Sequence, residues 1–156
     1  MKIDEIGVVL DGIPLISLKY YNSQNDEVDD ISKSALITSL LQYAENIIAP
    51  VESFESTIYS MIFTKGKMKT AHNPTKSDIF SYIVIEKTDK KKELPEKERK
   101  KIIDKISKIL DEFIKRYDGF DISEVSQFEE FKNIINKTIA PFTKSVDDKF
   151  ASLFSE

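Results

Sequence analysis

Two stretches of this 156-residue chain, IGVVL at 6–10 and YIVI at 82–85, carry no polar alternation. A strand with one face in water alternates apolar and polar residues. A near-continuous apolar strand is covered on both faces. The chain therefore calls for a sheet held between two further layers, and helices are the elements that supply them. With 40% hydrophobic and 32% charged residues, there is enough apolar material for one core and enough charge to cover it.

The remaining elements follow from local signals. Residues 3–10 and 13–21 read as a hairpin about Asp11-Gly12, a pair that tolerates φ > 0 at both turn positions. The acidic stretch 25–30 leads into a helix capped by Asp29 or Asp30, with an apolar side running from Ile31 to Ile48, ended by Pro50. Residues 54–64 alternate as a strand, Lys65-Gly66-Lys67 reads as a turn, and 68–72 as a short return strand. After the loop 73–78, residues 79–86 form another strand. Pro95 suits a first helical position, and Ile102, Ile106, Ile109, Phe113 and Tyr117 recur at helical spacing up to Asp118-Gly119. Ser126-x-x-Glu129 reads as a capping box opening a helix that Pro141 breaks. Ser145-x-x-Asp148 is expected to cap a last short helix.

The expected order is β-β-α-β-β-β-α-α plus an extra C-terminal helix: an α/β (α+β) fold with a five-stranded antiparallel-type sheet. One helix covers one face and two or more cover the other. Residues 1–140 form the domain, and 141–156 form an appended amphipathic helix.

Composition removes several classes of function. There is no cysteine and one histidine, which excludes disulfides and zinc sites built from His and Cys. The net charge of −4 argues against nucleic acid as partner. No apolar run reaches the roughly 18 residues of a membrane span, and the opening MKIDEIGVVLDG is acidic rather than signal-like, so a cytoplasmic location is expected. The phosphate-cradling GxxxxGK[ST] loop is missing, as are GxGxxG and GxSxG. His72, in HNPTKSD, lacks the partners of a catalytic base and reads as a solvated loop residue. Asp26, Glu27, Asp29 and Asp30 lack the glycine and distal Glu of a calcium loop, and read as helix-capping charge. No enzyme, cofactor or metal is expected.

The element order, the hairpin VVLDGIPLISLKYY and the closing stretch YDGFDISEVSQFEEFKNII resemble the longin (SNARE-like) domain family over roughly residues 1–140. The opening is similar to small coat-adaptor subunits. The closing stretch is similar to the longin-like and roadblock-like proteins of Asgard archaea. The start on a strand, with no preceding helix, favours longin over roadblock. The heptad-bearing tail of vesicle longins is missing, so fusion is not implied. The resemblance implies a scaffold or regulator of a small Ras-like GTPase, of the kind used in vesicle-trafficking-type membrane organisation.

Three surfaces are candidates for contact. The hairpin's outer strand is expected at the sheet edge with one guarding charge, Lys19. Ile13, Leu15, Ser17, Leu18, Tyr20 and Tyr21 would pair with a second copy or a related domain, unless a loop covers them. Phe150, Leu153 and Phe154 of the last helix either dock on the domain or enter a partner groove. Residues 1–64 hold 3 basic and 10 acidic residues, whereas 87–108 hold 10 basic and 5 acidic. Lys97, Lys101, Lys105 and Lys108 form a stripe that reads as an ordinary solvent face or as a peripheral platform for anionic lipid.

Overall fold

The computed structural model describes residues 2–20, 39, 53–55, 59–86 and 94–143. Ser39 is helical; the rest of the expected helix over 31–48, the acidic stretch before it and the expected helix over 145–154 lie outside the described residues. The described strands are β1 (Lys2–Leu10), β2 (Ile13–Lys19), β3 (Ser53–Glu55), β4 (Tyr59–Met68) and β5 (Ser77–Glu86). The described helices are α1 (Glu96–Tyr117), a 3-10 helix (Val125–Phe131) and α2 (Lys132–Thr143). The sheet order is β2-β1-β5-β4-β3, with every neighbouring pair antiparallel. Four long strands carry it, and β3 adds three residues at the far edge.

The hairpin turn is as the sequence signals: Asp11 has φ 47° and Gly12 φ 81°. The middle of the chain differs from expectation. Lys65-Gly66-Lys67 is no turn; β4 runs straight through it to Met68, paired residue by residue with β5 from Tyr59↔Glu86 to Met68↔Ser77. The return strand expected over 68–72 does not exist, because 69–76 connect β4 directly to β5. The strand expected over 54–64 is divided between β3 and β4, which pair with each other. The capping box at Ser126 is also absent. Ser126 Oγ donates to Glu124 Oε1 at 2.7 Å, and a 3-10 helix begins instead. Pro141 does not break the last described helix but lies inside it, two residues before its end.

The two apolar stretches are buried from both sides. Ile6, Val8 and Leu10 of β1 join Ile79, Ile83 and Ile85 of β5 on the face toward α1 and α2, each 2% exposed or less. Val9, Phe63, Phe80, Tyr82 and Val84 form a second buried cluster on the opposite face. Each strand thus feeds alternate residues to two cores. On the first face, α1 inserts Ile102, Ile106, Ile109, Leu110 and Phe113, all buried. At about 1.5–3 kcal/mol for each such side chain, this face holds the helix to the sheet.

Phe113 is the centre of an aromatic cluster. Its ring lies 4.8 Å from Tyr117, 5.2 Å from Phe128 and 5.1 Å from Phe131. Phe128 and Phe131 are three residues apart, and a 3-10 helix brings i and i+3 onto one side, so both reach Phe113. A polar link crosses from the sheet to α1: buried Ser81 donates its hydroxyl to the Ile106 carbonyl at 2.8 Å. With that proton committed, Thr64 is the donor in the contact between its hydroxyl and Ser81 Oγ.

Candidate functional site

β2 stands at the outer end of the strand order, so one side of its backbone faces away from the sheet. Which groups point outward follows from one bond. The Tyr20 N–H donates to the Asp4 carbonyl at 2.9 Å, and the register runs Glu5↔Lys19, Ile6↔Leu18, Gly7↔Ser17 and Val8↔Ile16. In an antiparallel ladder, hydrogen-bonded and non-bonded pairs alternate. Tyr20, Leu18 and Ile16 therefore bond inward to β1, while the backbone N–H and C=O of Ser17 point outward.

The side chains sort differently. The register shifts between Val8 and Val9, and the extra residue turns Leu15 and Ile16 both into the core, 3% and 5% exposed. Leu15 is thus no contact residue. Leu18 is half-buried against the same core. Tyr20 packs on it too, and its hydroxyl donates to Asn136 Oδ1 of α2 at 2.8 Å. Burial pushes the Tyr20 phenol up to about 12. Ile13, at the head of the strand, is 45% exposed. Ser17 turns the other way, and its hydroxyl oxygen is buried without a hydrogen-bond partner. Tyr21, Phe150, Leu153 and Phe154 lie outside the described residues.

The lysine stripe is less basic than the four lysines suggest. Lys97, Lys101 and Lys108 are exposed, and Lys105 is half-buried. At 3.6 residues per turn, Asp104, Asp111 and Glu112 fall within the same arc of about 120° on α1. The exposed face of α1 carries both signs.

A second end of the domain gathers exposed apolar side chains. The Ala71 N–H donates to the Phe120 carbonyl at 3.1 Å, and the Asp11 N–H to the Asp78 carbonyl at 3.3 Å. These bonds bring the hairpin turn, the 69–76 loop and the segment after α1 to one end of the sheet. Ile13 and Phe120 are exposed there, and Val125 is exposed at the start of the 3-10 helix. His72, 81% exposed, meets Asp121 at 3.1 Å in this region. The Ser123 N–H, then the Ser123 hydroxyl, then His72 hold the Asp121 carboxyl down to about 2. His72 shares an exposed hydrogen bond with the Asp121 carboxyl.

One polar group escaped the sequence reading. Glu5 is 1% exposed, on the face opposite α1, and accepts the Tyr82 hydroxyl proton. Its place in β1, where the alternation turns Glu5 to the same face as Gly7 and Val9, was the available signal, since a buried carboxylate needs donors. Among the described residues, no group of three or more His, Cys, Asp or Glu side chains gathers to hold a metal ion. No described helix is long and apolar enough to cross a membrane. No family model, curated protein or solved structure matches the chain.

Proposed function

We propose that the chain is a non-catalytic protein-interaction module that binds or regulates a small Ras-like GTPase. The observation that carries the interaction half is the outer edge of β2. There, the backbone groups of Ser17 face away from the sheet, and among the described residues no strand lies beyond them. An open edge of this kind is normally blunted by charge or cover, and Lys19 is its one charged residue. The GTPase half comes from the resemblance to longin and roadblock-like proteins. On this reading the module works in the cytoplasm as an adaptor or regulator. The alternatives are a dimeric scaffold without a GTPase and a lipid-binding module using the lysine stripe. The mixed charge on α1 weighs against the lipid reading.

A pull-down with the cell's small GTPases, each loaded with GDP or GTP, tests the proposal. Capture of one GTPase, blocked by a bulky label at the β2 edge or at Phe120, supports it. Failure of every GTPase to bind in either state, with salt-sensitive co-sedimentation on anionic liposomes, would replace it by the lipid-binding reading.

A further inference from the structure

We draw no further inference here: the strongest candidate, the surface patch with exposed Ile13 and Phe120 at the end of the sheet that holds the hairpin turn and the 69–76 loop, carries nothing because nothing in the structure shows what covers it.

Discussion

The ring of Tyr82 lies directly across the backbone of Gly7. A β-carbon built on Gly7 would stand 2.5 Å from the Tyr82 oxygen and 2.6 Å from two ring carbons, where real side chains do not approach. The glycine is the gap that lets the phenol pass over β1 and reach buried Glu5. Gly7→Ala is therefore expected to cost about 1–3 kcal/mol by overpacking. Combining it with Tyr82→Ala should cost clearly less than the sum of the two single changes. Urea unfolding of the four proteins in that cycle checks the coupling.

The phase of β2 makes a stability prediction separate from any partner. Leu18→Pro removes an N–H that bonds inward to β1, and should cost about 3 kcal/mol or more. Ser17→Pro removes an outward N–H, and should cost about 1 kcal/mol, chiefly from backbone adjustment. Thermal unfolding of both variants at low concentration checks the order. A larger loss for Ser17→Pro than for Leu18→Pro would show that the ladder has the other phase.

Phe113 is fully buried among three other aromatic rings. Phe113→Ala should destabilise the domain by about 3–5 kcal/mol. Because the same ring anchors the 3-10 helix, the amides of 125–131 should lose their hydrogen-exchange protection before those of β5 do.

Two tyrosine and aspartate shifts set opposite pH limits. The Tyr20 pKa is raised from 10.0 to about 12, so the folded state favours the neutral phenol. Its stabilising effect is complete below pH 10 and is lost as the pH rises towards 12. Tyr20→Phe should remove that alkaline loss. The Asp121 pKa is lowered from 3.8 to about 2, so its effect is complete above the ordinary carboxylate range and is lost as the pH falls towards 2. Asp121→Asn should flatten the acid limb without touching the alkaline one. Thermal melts from pH 2 to 12 on the three proteins separate the two.

The parts of the fold that were legible in the sequence have local causes. Asp11-Gly12 makes a hairpin turn because of what those two residues allow, and IGVVL and YIVI are buried on both faces because nothing in them tolerates water. The parts that were not legible depend on distant residues. Gly66 between two lysines looks like a turn, yet it lies inside β4, two residues before the strand ends. A β-carbon there would come within 3.0 Å of Ile114 Cδ1 of α1, so the glycine answers a helix almost fifty residues away. The helix start at Ser126 was misread for the same reason, since Phe128 and Phe131 follow the position of Phe113 rather than the capping pattern. At the candidate edge, the placement of β2 was readable, but the inward turn of Leu15 depends on a bulge in β2 opposite Val8 and Val9.

The Thr64–Ser81–Ile106 chain of hydroxyls and carbonyl fixes more than a helix in place. Consecutive residues of a helix are 1.5 Å apart along its axis, so sliding α1 along the sheet by one residue would pull the Ile106 oxygen out of reach of Ser81. The apolar contacts around it are non-directional and would tolerate such a slip far better. The serine thus acts as a dowel through an otherwise greasy joint. A load applied anywhere along the outer face of α1 is carried into β5 and on to β1, and the helix cannot absorb it by creeping.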